Sequence, residues 1–254
     1  MSIPEERRQA RRIGEADAGV LAPHSGQGRS IRHMVESTAL APRQLEEQRL
    51  IHREESAREQ ADAFREIRTR LLAIGGAQNF VTLVTPISPG SGGSFVARNL
   101  AAAFAFDEAK TALLVDCNFR HPVQHKALNV DPVRGGLVDF LEHPALGIEN
   151  IVYGTGVARL RLVPAGHVRE MRSEYFISFR MRAMLDSLRC RYPDRYLFLD
   201  GPAVKGSPDA RIAADLADFV VLVAGYGRDT PAAISAAAAA FDPNKLAGVV
   251  LNQP

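Results

Sequence analysis

A glycine-rich segment follows the first strongly apolar run of the chain. The run Phe80–Thr85 leads into Pro89-Gly90-Ser91-Gly92-Gly93-Ser94, and a helical pattern begins directly afterwards. Glycines in such a turn let successive backbone N–H groups point at one anion, and the N-terminus of the next helix adds partial positive charge. The pattern predicts a phosphate-binding loop in which the Ser94 hydroxyl stands where Mg²⁺ is held. The candidate nucleotide-binding residues are Gly90, Ser91, Gly92, Gly93, Ser94 and Phe95.

The loop has no lysine at the position where phosphate loops usually carry one. The usual pattern ends in Gly-Lys-Ser/Thr, whereas Gly93 precedes Ser94 here. That lysine reaches the outer phosphates, and losing one preorganised donor costs on the order of 10²–10³ in rate. We therefore expect that ATP and Mg²⁺, if bound, are bound weakly. Lys205 or Lys110 could replace the cation, and Lys205 is the better candidate; a solvated surface lysine is the alternative for both.

Two aspartates stand at the ends of strand-like runs. Asp116 ends the run Thr111–Val115, and Asp200 ends the run Tyr196–Leu199. One such aspartate commonly caps a turn, but two of them after a phosphate loop can hold Mg²⁺ through water and orient a nucleophile. The predicted metal ligands are Ser94, Asp116 and Asp200, and the two aspartates are the predicted catalytic residues if the protein is active.

A histidine pair suggests a second, weaker metal hypothesis. His121 and His125 are four residues apart, which would suit one face of a helix. Pro122 lies between them, and no third ligand is evident in the sequence. We therefore expect these histidines to pack or to line a groove.

Apolar runs alternate with helical patterns along most of the chain. The runs are continuous rather than alternating in polarity, as expected for strands that are covered on both faces. This order predicts an α/β fold, a P-loop NTPase-like, mostly parallel sheet flanked by helices, with ligands beyond the carboxyl ends of the strands. The strand candidates are Phe80–Thr85, Thr111–Val115, Leu160–Val163, Tyr196–Leu199, Phe219–Val223 and Val249–Leu251, and the helix candidates include Ser94–Phe106, Ser178–Arg191, Asp209–Ala217 and Ala232–Phe241.

Composition divides the chain into three parts. Residues 1–43 have few large apolar side chains and are expected to be a flexible segment. Residues 44–76 form a predicted long helix, with an apolar stripe at helical spacing that ends at two glycines. This helix is a possible oligomerisation or docking element. Residues 77–254 form the P-loop-like α/β domain.

Charge and cysteine content limit the classes of partner. The net charge of +2 gives no argument for binding nucleic acid. The chain has no apolar segment of the length that a membrane span needs. Cys117 and Cys190 lie far apart, without the spacing of a disulfide framework or a zinc site. We expect a cytoplasmic protein that reaches the inner membrane only through a partner.

Several segments resemble one family. The sequence over 62–252 is similar to the bacterial tyrosine autokinases of capsule and exopolysaccharide export, the CpsD/CapB and Wzc-type cytoplasmic domains of the MinD/ParA branch of P-loop ATPases. The loop residues 89–94 match that family's Pro-Gly-Glu-Gly-Lys-Ser/Thr, residues 114–122 match its second acidic motif, and Asp200-Gly201-Pro202 matches its Walker B segment. Asp62, Arg65 and Arg68 resemble the Glu-x-x-Arg-x-x-Arg motif through which members form rings.

The resemblance implies a role in exopolysaccharide assembly, with a membrane co-polymerase as partner and a homo-oligomeric state. Gly93 replaces the lysine, Asn118 the second aspartate of an Asp-x-Asp pair, and Ala203 the second Walker B proline, while Phe95 stands at a position that is usually small and polar. The sequence also ends before a C-terminal tyrosine cluster. These departures predict a degenerate member with weak or no phosphotransfer. The alternatives are an active kinase or ATPase with a replacement cation, and a ParA/MinD-like positioning ATPase, which the Arg120-His121-Pro122 segment fits less well.

Overall fold

The computed structural model describes residues 40–52, 54–167 and 173–253. Within these residues the strands form one seven-stranded sheet of order β3-β4-β2-β5-β1-β6-β7, in which β3 is antiparallel to β4 and all other neighbours are parallel. The strands are β1 (Val81–Pro86), β2 (Thr111–Asp116), β3 (Tyr153–Gly154), β4 (Leu160–Val163), β5 (Arg195–Asp200), β6 (Phe219–Gly225) and β7 (Leu246–Asn252).

Helices cover both faces of this sheet. The α-helices are α1 (Pro42–Glu47), α2 (Arg58–Gly75), α3 (Gly93–Ala105), α4 (Gln124–Ala127), α5 (Leu137–Glu142), α6 (Ser173–Ile177), α7 (Phe179–Arg191), α8 (Asp209–Ala214) and α9 (Pro231–Ala238). Short 3₁₀ turns occupy Glu55–Ala57, Pro144–Leu146 and Ile148–Asn150. The predicted α/β fold, with a mostly parallel sheet between helices, is confirmed.

The apolar side chains of the strands divide between two cores. Leu83 faces a core shared with α5, α7, α8 and α9, whereas its neighbour Val84 faces a core shared with α2 and α3. This division follows from the period of two along a strand, which sends successive side chains to opposite faces. The continuous apolar runs of the sequence are therefore explained by burial on both faces.

The order of the strands brings the predicted chemistry to one edge. β1 lies between β5 and β6, and β2 lies on the far side of β5. Asp116 and Asp200 are register partners at the carboxyl ends of β2 and β5. The loop between β1 and α3 opens at the same edge, because all three strands run parallel.

The single helix expected over 44–76 is divided in the structure. Residues 48–52 and 54 are not α-helical, and the backbone turns at Arg49, which has a φ of 52°. Leu50 and Ile51 are buried in the core beside α2 and α3. The Asn99 side chain accepts from the Ile51 amide at 2.8 Å and donates to the Arg49 carbonyl at 3.0 Å. Tertiary burial therefore overrides the helical propensity of this stretch.

The flexible segment expected over 1–43 lies mostly outside the described residues. At its end Leu40 donates a backbone hydrogen bond to Gly156, and Pro42 begins α1. All six predicted strands are present, and the two-residue strand β3 was not predicted. Among the described residues, no helix combines the length and the hydropathy needed to cross a membrane.

Candidate nucleotide-binding site

The glycine-rich loop has the backbone conformation that its sequence predicts. Gly90 and Gly92 have φ values of 84° and 89°, in the left-handed region that favours glycine. α3 begins at Gly93, and the first N–H groups of a helix have no intrahelical partner. The loop amides and the N-terminus of α3 therefore remain suited to an anion.

Three side chains, two that follow β6 and one at the end of β7, form hydrogen bonds with the glycine-rich loop. The Ser91 hydroxyl donates to Asp229 at 2.6 Å, Arg228 donates to the Pro89 carbonyl at 3.2 Å, and Asn252 donates to the Ser91 carbonyl at 3.2 Å. Burial would raise the pKa of Asp229, but hydrogen bonds from Ser88, Ser91 and the Gly225 amide lower it. Asp229 is therefore a negatively charged residue that holds the loop in place through its bond to Ser91.

Gly93, at the position of the missing lysine, is packed against Pro86. A Cβ atom at Gly93 would lie 2.5 Å from Cδ and 2.8 Å from Cγ of the Pro86 ring. Such distances are well inside van der Waals contact, and both atoms belong to a rigid ring at the end of β1. A side chain at 93 therefore requires that Pro86 or the loop move.

The two strand-end aspartates form a buried carboxylate pair. Asp116 and Asp200 have no exposed surface. Burial raises the pKa of Asp116 well above its usual range, and the Asp200 charge adds to this effect. Burial likewise raises the pKa of Asp200 to about 6, against hydrogen bonds from Gln124 and Ser94 and the charge of Arg98. The pair therefore favours a shared proton or a bound cation over two free charges.

Each aspartate has a different set of partners. Asp116 accepts backbone amides at both oxygens, from Asn118 at 3.2 Å on Oδ1 and from Val123 at 3.1 Å and Gln124 at 3.0 Å on Oδ2. Asp200 Oδ2 accepts from the Gln124 side chain at 2.7 Å, whereas its Oδ1 is buried with no hydrogen-bond partner. Asp116 therefore shapes the loop after β2, while Asp200 keeps a free oxygen.

Arg98, the cationic residue of α3, lies near this pair. It lies one turn after Ser94, is 8 % exposed, and its Nη1 approaches the Ser94 carbonyl at 3.3 Å. Burial lowers the pKa of Arg98, and the charge of Asp200 raises it. The guanidinium also lies over the Phe95 ring, 5.3 Å from its centroid. Arg98 thus partly compensates the Asp200 charge from inside the protein.

A cleft of about 510 Å³ opens in front of the loop. Arg120, His121 and Lys205 line the wall formed by the segments after β2 and β5. Arg120 donates to Ser207 at 3.1 Å and to the buried Asp209 at 3.3 Å, so it is held across the cleft. The other lining residues include Gly90, Gly92, Gly93, Ser94, Phe95 and Asn118.

The donor atoms of this site fit Mg²⁺ in part. Oxygen donors are what Mg²⁺ prefers, and the Ser94 hydroxyl and the unpartnered Asp200 Oδ1 provide two. Asp116 is occupied by backbone amides, so it would act through water. Among the described residues, no group of three or more His, Cys, Asp or Glu side chains could hold a metal ion. Ser94 and Asp200 would therefore hold Mg²⁺ chiefly together with a bound phosphate.

The predicted candidates are not equally placed for chemistry. Ser91 is buried and bonded to Asp229, and Phe95 packs edge-on against Phe64 of α2 at 6.0 Å between ring centroids. Lys205 is exposed on the cleft wall. Lys110 precedes β2, at the opposite end of the strand from Asp116, and pairs with Asp107 at 3.5 Å. Lys110 therefore cannot replace the missing cation.

The motif Asp62, Arg65 and Arg68 lies on α2, away from the cleft. Asp62 and Arg65 form an exposed ion pair. Arg68 donates to the Ala103 carbonyl of α3 at 2.8 Å, so it ties α2 to α3. All three line a groove of about 560 Å³, which also contains Arg58 and His52.

Sequence reasoning missed Gln124, Arg98, Arg228 and Asp229. The position of Arg98 was readable, because it is four residues after Ser94 on a predicted helix and so shares its face. Gln124, Arg228 and Asp229 join the site only through long-range contacts with the loop and with Asp200. No local pattern marks residues of that kind.

The chain has relatives among named kinases. It is 32% identical over 194 residues to the tyrosine-protein kinase wzc of Salmonella typhimurium, an alignment that covers 75% of the chain and 26% of that relative. It is 26% identical over 199 residues to the tyrosine-protein kinase CpsD of Streptococcus agalactiae, which covers 78% of the chain and 84% of CpsD. The chain thus spans about a quarter of the length of wzc. No protein-family model matches it.

A solved structure gives the same relationship. The BceF tyrosine kinase domain superposes with a TM-score of 0.64 at 26% identity, covering 76% of this chain and 77% of that domain. The similarity therefore covers about three quarters of the chain.

Proposed function

Because the chain belongs to the family of the bacterial tyrosine autokinases, we propose that it is a degenerate member that regulates capsule or exopolysaccharide biosynthesis and export. In this proposal it lies in the cytoplasm against the inner membrane, through a membrane co-polymerase partner. It acts by docking and by forming homo-oligomers, with weak or no phosphotransfer.

The packing of Gly93 against Pro86 carries this proposal. Gly93 lacks the ammonium group, and the position of a side chain there is also closed by the Pro86 ring, whose Cδ would lie 2.5 Å from a Cβ at 93. Overpacking a site of this kind typically costs about 1–3 kcal/mol. The loop is therefore adapted to the absence of a side chain at 93.

The charges left in the cleft support the same proposal. Asn118 removes one carboxylate, and the remaining pair, Asp116 and Asp200, is compensated from within the protein by backbone amides, Gln124 and Arg98. Bound Mg²⁺, at Ser94 and Asp200, would supply charge neutralisation at the phosphates of ATP. With a loop that lacks its ammonium group, we expect the metal and nucleotide to be held weakly.

The outer face of α2 supports the docking part of the proposal. The side chains of Asp62 and Arg65 are 52% and 60% exposed and sit beside a groove large enough for side chains of another protein. Exposed charges contribute little to the stability of a single chain. Exposed charges on α2, in a chain whose cleft lacks the loop lysine, are what a docking role predicts.

Titration and phosphotransfer assays test the catalytic half of the proposal. Purified protein should bind Mg²⁺–ATP with a dissociation constant weaker than about 100 μM, which corresponds to roughly −5.5 kcal/mol. It should transfer no γ-phosphate to tyrosine at the rate of an intact homologue measured in parallel. Tight binding together with tyrosine phosphorylation that Asp200→Asn abolishes would contradict the proposal.

Complementation separates docking from catalysis. In a strain that lacks the gene, Ser94→Ala should restore exopolysaccharide production, because docking through α2 does not use this hydroxyl. The double variant Asp62→Ala/Arg65→Ala should fail to restore it although the protein still folds. The reverse pattern would favour an active enzyme.

A second candidate function is an active ATPase or kinase with a replacement cation. The observation in its favour is the cleft wall, where Arg120 is held by Asp209 and Lys205 is exposed opposite the loop. If this candidate is correct, Lys205→Ala or Arg120→Ala should weaken Mg²⁺–ATP binding at least about tenfold. Under the leading proposal both variants should change it little.

A further inference from the structure

Gln124 is a buried polar side chain that links three elements of the cleft. It is fully buried at the first position of α4. Its side-chain Nε2 donates to the Ser94 carbonyl at 2.9 Å and to Asp200 Oδ2 at 2.7 Å. Its backbone amide donates to Asp116 at 3.0 Å. One residue therefore contacts both aspartates and the start of α3.

The Gln124 amide group occupies a place suited to a cation. Its NH₂ group is positively polarised and lies between a carboxylate oxygen and a carbonyl oxygen, which are both acceptors. A hydrogen bond to a charged carboxylate is among the stronger ones in proteins. In the absence of metal, Gln124 therefore holds Asp200 in position.

Two buried acceptor atoms nevertheless remain without a donor. Gln124 Oε1 and Asp200 Oδ1 are both buried and have no hydrogen-bond partner. A buried polar atom without a partner is costly, and such atoms in a folded protein commonly await a water, an ion or a ligand. Both atoms are oxygens, which is the donor type that Mg²⁺ takes.

Metal binding and the present orientation of the amide compete. A cation at Asp200 Oδ1 would draw on the negative charge of the same carboxylate whose Oδ2 accepts from the NH₂ group of Gln124, so each weakens the binding of the other. We propose that Gln124 is a metal-responsive positioning residue, whose amide substitutes for the cation in the metal-free protein and gives up its bond to Asp200 when Mg²⁺ binds with a nucleotide. The inference concerns the same cleft as the proposed function, but it does not require phosphotransfer.

Binding of Mn²⁺ in the presence of ADP tests this inference without any activity assay. Gln124→Met keeps the length of the side chain and removes both polar atoms. If Gln124 competes with the metal, the variant should bind Mn²⁺, measured by electron paramagnetic resonance, about tenfold more tightly than the unmodified protein. The matched control is Gln60→Met, the same change at an exposed position of α2, which should leave Mn²⁺ affinity unchanged.

Two outcomes of this titration would overturn the inference. One is Mn²⁺ binding that is unchanged or weaker in folded Gln124→Met, and the other is no Mn²⁺ binding by either protein at millimolar metal and ADP. The second outcome would leave the docking function intact. Conversely, a failure of Asp62→Ala/Arg65→Ala to alter exopolysaccharide production would contradict the proposed function and leave Gln124 unaffected.

A measurement on the unmodified protein covers the case in which Gln124→Met does not fold. The side-chain NH₂ resonances of Gln124 can be followed by ¹⁵N NMR, with assignment from the conservative variant Gln124→Asn or by selective labelling. Addition of Mg²⁺ to the ADP-containing protein should shift them and lower their protection from exchange, since the bond to Asp200 is lost. Resonances that do not move at saturating Mg²⁺ would overturn the inference.

Discussion

Two surfaces of the molecule carry the residues on which the family resemblance depends: the cleft at the carboxyl ends of β1, β2 and β5, and the outer face of α2. In the cleft, the two strand-end aspartates are buried, with Asp116 bonded to backbone amides and Asp200 to Gln124. On α2, Asp62 and Arg65 pair with each other in solvent, beside a groove. The same chain thus buries one set of charges and exposes the other.

This difference shows that the fold does not depend on a lysine in the loop. The sheet, the glycine turn and α3 need only backbone hydrogen bonds and apolar packing, which the loss of a lysine does not disturb. The position of the lysine has instead been absorbed into packing with Pro86. A surface that serves association is under the opposite constraint, because its charges act only while they remain exposed.

The largest expected effect comes from an attempt to restore the cleft. Gly93→Lys alone should lower the free energy of unfolding by about 1–3 kcal/mol, because its Cβ overlaps the Pro86 ring, and should not improve nucleotide binding. Pro86→Ala/Gly93→Lys should fold more stably than Gly93→Lys. This double variant should bind Mg²⁺–ATP at least about tenfold more tightly than the unmodified protein, since an ammonium then reaches the phosphates. Urea unfolding and calorimetric titration measure the two quantities.

The control for this restoration is Pro86→Ala, which by itself should leave nucleotide affinity unchanged. If Gly93→Lys alone bound ATP tightly without losing stability, the cleft would not be adapted to glycine. The difference between the cleft and α2 would then rest only on the glycine at position 93 and not on the packing around it.

The second effect concerns the buried carboxylate pair and its pH dependence. The pKa of Asp200 is raised to about 6 from a usual value of 3.8, so the folded state binds more protons than the unfolded state between these values. The contribution of Asp200 to stability should therefore fall as the pH rises from about 4 to about 6 and then stay constant. Asp200→Asn should be more stable than the unmodified protein at pH 8 by about 1–3 kcal/mol.

Urea unfolding at pH 4 and pH 8 measures this difference, with the exposed Asp186→Asn as the control that should show none. An Asp200→Asn variant that is less stable than the unmodified protein at pH 8 would mean that the pair is fully compensated. The buried charge of the cleft would then cost as little folding free energy as the exposed charges of α2.

A smaller effect is expected at Arg68, the residue of the α2 motif that contacts α3. Arg68→Met should lower the free energy of unfolding by about 1–2 kcal/mol, because it removes the bond to the Ala103 carbonyl and leaves that oxygen without this donor. Gln or Lys at 68 should recover part of the loss. Thermal unfolding measures it, and an unchanged midpoint would show that Arg68 is as free as its neighbours.

The smallest effect on stability is expected at the exposed pair. Arg65→Met should change the free energy of unfolding by less than about 1 kcal/mol, as is usual for a solvent-exposed ion pair. Its effect should appear in association instead. Sedimentation velocity over a range of concentrations should show a loss of oligomer relative to Arg70→Met, a nearby exposed arginine paired with Glu66. Equal association of the two variants would contradict a docking role for this face.

Much of the architecture could be read from the sequence. The continuous apolar runs predicted six strands buried on both faces, and the order of strands and helices predicted a parallel sheet with its site at the carboxyl ends. The glycine turn and the two strand-end aspartates were predicted because their signals are local. The short β3 was missed, since two residues give no periodicity, and the helix over 44–76 is interrupted where Leu50 and Ile51 are buried.

The sequence by itself determined the presence of a phosphate loop without a lysine, because a glycine turn between a strand and a helix is a local pattern. Tertiary structure alone decided what surrounds it: Pro86 against Gly93, Asp229 under Ser91, and Gln124 between Ser94 and Asp200. These contacts join residues up to 138 positions apart, as in the Ser91–Asp229 bond. They depend on how parallel strands are ordered in the sheet, and that order is set by the packing of the whole chain rather than by any one segment.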